Sequence, residues 1–115
     1  MGMKYVLAIA GSDSSGGAGI QADIKTITEL GAHALTVITA LTAQNSTGIA
    51  AIQRISAGFI SKQVRTVVED IRPDAIKVGM LATAAAVKAV AALIRRFKLF
   101  PLVNNIDGII RSLFV

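Results

Sequence analysis

The segment VLAIAGSDSSGGAGIQADIKTI, residues 6–27, passes from a short apolar run through a loop of glycines and hydroxyls into a helical pattern. Glycines in a strand-to-helix loop expose backbone N–H and C=O groups to a small polar ligand beside a helix N-terminus. A plain turn in which serines cap the helix accounts for the same residues. Three better-defined chemistries can be tested against the spacing. A nucleotide-binding P-loop needs a lysine after its second glycine, but Gly16 is followed by Gly17 and Ala18. Gly17-Ala18-Gly19-Ile20-Gln21-Ala22 fits the dinucleotide pattern G-x-G-x-x-A, yet no Asp or Glu for the ribose occurs between Glu29 and Glu69. A dinucleotide-binding domain therefore stays only as an alternative. The nucleophile elbow G-x-S-x-G fails on spacing, and His33 has no evident relay partner.

The elements that must position this loop follow from hydrophobic periodicity. Tyr5–Ala10 reads as a central strand ending at Gly11. Ile20, Ile24, Ile27 and Leu30 recur at helical spacing, with Gly31 as a stop. Leu35–Ala40 is rich in β-branched residues and reads as a second strand, followed by a polar turn over residues 41–48 and a short extra strand over Ile49–Ile55. A helix from Ser56 is carried by Phe59, Ile60, Val64, Val67, Val68 and Ile71 and closed by Pro73. Asp74–Leu81 is the next strand, and Thr83 caps a third helix with a stripe of Val87, Val90, Ala91, Ile94 and Phe97.

This β-α-β-α-β-α order predicts an α/β fold: a mainly parallel sheet with right-handed crossovers and helices on its faces. Ligands of such sheets gather at the carboxyl ends of the strands. The stretches near Gly11, Gln44 and Gly79 are thus expected at one edge.

Composition narrows the function classes. The chain has 115 residues, suited to one domain, and 53% hydrophobic content supplies a core built on Ala, Ile, Val and Leu, with few aromatics. Without cysteine, and with His33 alone, there is no disulfide and no zinc-ligand spacing, so no metal site is expected. A reducing, cytoplasmic setting fits. The apolar start falls short of a signal peptide and reads as the first strand; Lys88 interrupts the alanine-rich segment, so no membrane span is expected. A net charge of +5 raises nucleic acid as a partner, but the basic residues are scattered. Their one cluster, Arg95, Arg96 and Lys98, sits at a helix end, where cations oppose the dipole's negative pole. No nucleic-acid partner is expected.

Three segments carry a resemblance. AGSDSSGGAGIQADIKT (residues 10–26), VITALTAQNSTG (37–48) and IKVGML (76–81), in this order and spacing, resemble the hydroxymethylpyrimidine/phosphomethylpyrimidine kinases of thiamine biosynthesis. The resemblance covers about residues 4–98. It implies a ribokinase-like three-layer α/β/α fold and Mg-ATP as co-substrate, phosphorylating a hydroxymethyl group and then the resulting phosphate. It also implies substrate-binding roles for Gly11 through its main chain, Asp23 through its carboxylate, Gln44 on an aminopyrimidine and Met80 against the ring. Chemistry agrees for Gln44, because an amide pairs a donor and an acceptor with an amino group beside a ring nitrogen. An exposed loop glutamine is the plainer reading, as is a helix-dipole role for Asp23 and a core role for Met80.

After Phe97 the family pattern leads one to expect a D-P-V strand and later a glycine-rich anion hole, neither of which follows. The expectation is a substrate-binding part over residues 1–103 and a divergent tail over 104–115, resembling a frameshift or truncation. No catalytic residue is assigned, and the catalytic and ATP-binding half is expected to be largely missing, which leaves a non-catalytic pyrimidine-binding module or a non-functional fragment as alternatives. The apolar Ile110, Leu113, Phe114 and Val115 would need covering, by a homo-oligomer or by a missing C-terminal half.

Overall fold

The computed structural model describes residues 2–103. Its elements are β1 (Tyr5–Ser12), α1 (Gly19–Glu29), β2 (His33–Asn45), β3 (Gly48–Arg54), α2 (Ala57–Asp70), β4 (Ala75–Val78), α3 (Ala84–Phe97) and β5 (Leu102–Val103). Val6 through Ala10 are all buried, as an apolar run covered on both faces must be. The strand order is β3-β2-β1-β4-β5. β1 runs parallel to β2 and β4, β4 is parallel to β5, and β3 is antiparallel to β2.

Alternate side chains of each strand face opposite layers. Leu7, Ile9, Val37 and Ile76 pack with Ile60 and Val64 of α2 and with Val90 and Leu93 of α3. Val6, Ala8, Ala10 and Ala75 pack on the other face against Ile20 and Ile27 of α1. The result is the expected three-layer α/β/α arrangement. Ser56 caps α2 by accepting the Phe59 N–H, and Thr83 caps α3 by accepting the Ala86 N–H. Arg95 and Arg96 stand in the last turn of α3, while the Arg72 guanidinium donates to the Phe97 and Lys98 carbonyls just beyond. The basic cluster is thus a helix end, as its sequence position suggested.

Several boundaries move for tertiary reasons. β1 continues to Ser12, beyond Ala10. The expected turn over residues 41–48 is instead mostly strand, because β3 folds back and supplies ladder partners from Ala40↔Arg54 to Asn45↔Gly48. Only the tip turns, with the Thr47 N–H and hydroxyl donating to Asn45 Oδ1. The strand expected over Asp74–Leu81 shrinks to Ala75–Val78, although the Gly79 N–H still donates to the Ile9 carbonyl at 2.8 Å. In α3 the buried positions are Ala86, Val90 and Leu93, with Val87 exposed, so the expected stripe is rotated. The predicted tail, with its apolar Ile110, Leu113, Phe114 and Val115, lies outside the described residues.

One side chain finishes the sheet. β3 covers β2 only from Ala40 onward, which leaves the first half of β2 with an open edge. There Gln63 of α2 acts as a surrogate strand residue: Oε1 accepts from the Ile38 N–H and Nε2 donates to the Ile38 carbonyl, both at 2.9 Å. Gln63→Ala strips both partners from a part-buried peptide unit, so urea unfolding is expected to show a loss of about 1–3 kcal/mol. A change within experimental error would mean that water replaces the amide without cost.

Candidate functional site

β1, β2 and β4 end together, and their carboxyl ends border a cleft of about 310 Å³. That volume is at the small end of ligand sites, about 300–1,000 Å³, and suits one substituted ring. Two irregularities in the ladders shape it. Between Ala10 and Ser12 the pairing of β1 with β2 slips, and between Ala43 and Gln44 the pairing of β2 with β3 slips. Such bulges re-aim side chains beside functional sites.

The glycine loop forms one wall and is rigidly built. Asp13 is buried, and a buried carboxylate needs partners. Its Oδ1 accepts from the Ser15 N–H at 2.9 Å and the Ser15 hydroxyl at 2.7 Å, and its Oδ2 accepts from the Ala18 N–H at 2.8 Å. Gln21 in α1 spans the loop's start, accepting the Asp13 N–H and donating to Ser12 Oγ. Lys25 donates to the Gly16 carbonyl at 3.0 Å. Gly19 has φ +59°, and a Cβ there would collide with the Gly11 carbonyl, so glycine is required where α1 begins. Gly11 has no such need, since a Cβ would meet Ala40 only at ordinary contact distance.

The sequence-predicted residues divide into two groups. Gly11, Gln44 and Met80 all border the cleft, as their positions after β1, near the end of β2 and after β4 require. Gln44 is held beside the opening loop: Ser14 Oγ donates to the Gln44 carbonyl and accepts its N–H, both at 2.7 Å. Its side-chain Oε1 lies 3.2 Å from the Thr42 hydroxyl, but that hydroxyl's single proton has a shorter acceptor, the Ser12 carbonyl at 2.8 Å. The Gln44 amide is therefore only weakly held and can turn to a ligand. Met80 is 89% exposed, which corrects the core alternative and places it at the mouth. Asp23 stands behind the cleft wall: it is buried on α1, and its Oδ2 accepts from Lys77 Nζ at 3.0 Å.

Lys77 borders the cleft, and the sequence reading missed it. The available signal was a lysine inside the buried strand AIKV. Thr39 was missed too. It is 3% exposed, borders the cleft, and its Oγ1 is the one buried side-chain polar atom without a partner among the described residues. No periodicity marks such a residue. A second depression of about 380 Å³, between β2 and α2 near Thr36, Phe59 and Lys62, contains none of the predicted residues. No group of three or more acidic, histidine or cysteine side chains is placed to hold a metal among the described residues, so none is assigned to magnesium. Among the same residues, no helix is long and apolar enough to cross a membrane.

A mainly parallel sheet between helical layers, with a ring-sized cleft at its strand ends, is the ribokinase-like fold. The phosphomethylpyrimidine kinase family matches residues 13–111, and the chain belongs to that family. The matched span runs on into the residues expected to diverge. The hydroxymethylpyrimidine/phosphomethylpyrimidine kinase of Escherichia coli K12 is 50% identical over 93 residues, covering 81% of this chain and 35% of that protein. The crystal structure of phosphomethylpyrimidine kinase from Clostridium difficile 630 superimposes with a TM-score of 0.84 at 42% identity, over 86% of this chain and 43% of that one. An ADP complex of Bacillus subtilis pyridoxal kinase gives 0.80 at 38% identity, over 88% and 39%. The chain spans about a third of the length of the curated relatives it matches. Family membership displaces the dinucleotide-binding alternative.

The hydroxyl of Ser15 holds the Asp13 carboxyl below its ordinary value; burial opposes this, and the N–H groups of Ser15, Ala18 and Gly17 assist it. A depressed folded pKa contributes stability above the unfolded value, about 3.9, and loses it as pH falls through the folded one. Asp13→Asn is therefore expected to be less stable than wild type at pH 7, with the gap in urea midpoint closing towards pH 2. A gap constant across that range would remove the carboxylate charge from the loop's stability.

Proposed function

We propose that this chain binds 4-amino-5-hydroxymethyl-2-methylpyrimidine and its phosphate, and supplies the substrate-holding wall of an ATP-dependent kinase of thiamine biosynthesis. The reading is supported chiefly by Gln44, whose backbone is tied to the opening loop while its terminal amide stays available at the cleft. Oε1 would accept from the 4-amino group and Nε2 would donate to the adjacent ring nitrogen. Gly11 would present main-chain groups, Met80 would close over the ring, and Asp23 would act through Lys77. In the reaction the hydroxymethyl oxygen attacks the γ-phosphorus of Mg-ATP, the bond to the ADP oxygen breaks, and the hydroxyl proton passes to a base. No described residue is assigned to that step, and the setting proposed is a cytoplasm that supplies ATP.

The relatives' names support a pyrimidine substrate. The exposed Leu41, Ile49 and Ile52 on the β2–β3 hairpin favour burial against a second copy or a further polypeptide part. Sedimentation velocity is expected to show a species heavier than the monomer; a monomer at high concentration would remove the self-association reading.

Calorimetry with the pyrimidine alone is expected to give saturable binding to the wild-type chain, and Gln44→Ala to weaken it by about tenfold or more. ADP release in the presence of Mg-ATP and the pyrimidine separates turnover from binding. Unchanged affinity in the variant would take Gln44 out of the site, and no binding by the wild-type chain would refute the reading itself.

A further inference from the structure

We propose that Lys77 is the specificity-determining cation of the cleft, reading the phosphate of a phosphomethylpyrimidine, with Asp23 as the residue that positions it. The inference rests on the pyrimidine reading above and goes beyond it, since it assigns one side chain to one of two substrates.

Lys77 occupies an unusual place. On β4 it pairs in register with Ala8 of β1 and Val103 of β5, so its backbone is inside the sheet. Its side chain lies on the α1 face, where the neighbouring strand positions are Val6, Ala8, Ala10 and Ala75. The ammonium reaches the strand's carboxyl end, because a Cβ built at Gly79 would stand 3.4 Å from Nζ and 3.1 Å from the Ala10 methyl. Small residues at 8, 10 and 79 thus leave a track along which the lysine extends to the cleft.

Charge makes the assignment specific. Among the described residues bordering the cleft, Lys77 is the one cation and Asp13 the one anion. Asp13 has both oxygens occupied within its own loop. Lys77 has three donors and spends one, on Asp23 Oδ2, while its side chain keeps 19% of its surface open. A largely buried ion pair is a weak source of stability, because desolvation offsets its attraction. Here the pair has another effect: Asp23 fixes the ammonium beside the opening and leaves its other protons for a ligand. A neutral hydroxymethyl arm gains little from such a group. A phosphate monoester, with nearly two negative charges, gains a charge-assisted hydrogen bond.

The test is calorimetry on the full chain with the hydroxymethylpyrimidine and with its phosphate, for wild type, Lys77→Gln and Lys77→Arg. Lys77→Gln is expected to weaken the phosphate ester by about tenfold or more while changing the unphosphorylated ligand less than about threefold, and Lys77→Arg to restore most of the loss. Equal losses for both ligands, or no loss for either, would overturn the assignment while leaving the pyrimidine reading intact. No binding of either ligand to the wild-type chain overturns both. Should Lys77→Gln fail to fold by circular dichroism, wild-type NMR decides: the Lys77 Cε resonance is expected to shift further with the phosphate ester than with the unphosphorylated pyrimidine, and equal shifts refute the proposal.

Discussion

One steric constraint shapes the loop: a Cβ at Gly19 would collide with the Gly11 carbonyl. The chain leaves the sheet just beyond Gly11, after Ser12, and enters α1 at Gly19, where no side chain fits. The intervening loop must therefore double back on itself, with its peptide groups turned inward. Asp13 supplies the acceptors that this geometry demands, and Gln21 and Lys25 fasten the outside. With the loop closed in this way, Ser14 is carried to the end of β2, where it meets Gln44. The cleft thus depends on a steric constraint first and on hydrogen bonds second.

Two carboxylates in the early part of the chain illustrate how satisfaction separates structure from chemistry. Asp13 is buried and saturated by its own loop, which fits a fixed structural part. Asp23 is buried as well, but its recorded partner is a lysine from a strand 54 positions later in sequence. That contact joins α1 to β4 across the sheet face and carries a charge to the rim. Thr39 shows a third situation, a buried hydroxyl with nothing to bond, beside a ladder irregularity. Unsatisfied buried groups are uncommon in folded proteins, and a water, an ion or a ligand is the usual partner.

Much of the fold was legible because its signals are local. The apolar run at Val6–Ala10, the caps Ser56 and Thr83, and the stop at Gly31 each act within a few residues, and the structure uses them all. The meeting of Gly11, Gln44 and Met80 followed from the rule that parallel strands end at one edge. What escaped was decided at a distance. The continuation of β2 to Asn45 depends on β3 as a partner, and the buried face of α3 depends on the sheet and α2 residues packed against it. Lys77 was not singled out within its strand, and its partner is Asp23, far away in sequence. Thr39 carried no pattern at all.

All seven residues of β3 are exposed, so this arm of the hairpin is anchored mainly by its ladder with β2, whose Gln44 is tied in turn to Ser14. A segment with little buried apolar surface opens at a free energy well below that of global unfolding. Its amides are then among the first to exchange with solvent, and a ligand held at position 44 as proposed would be held only in the fraction of molecules whose hairpin is closed. Apparent affinity scales with that closed fraction, so whatever clasps the hairpin from outside would tighten the proposed site without touching its ligand.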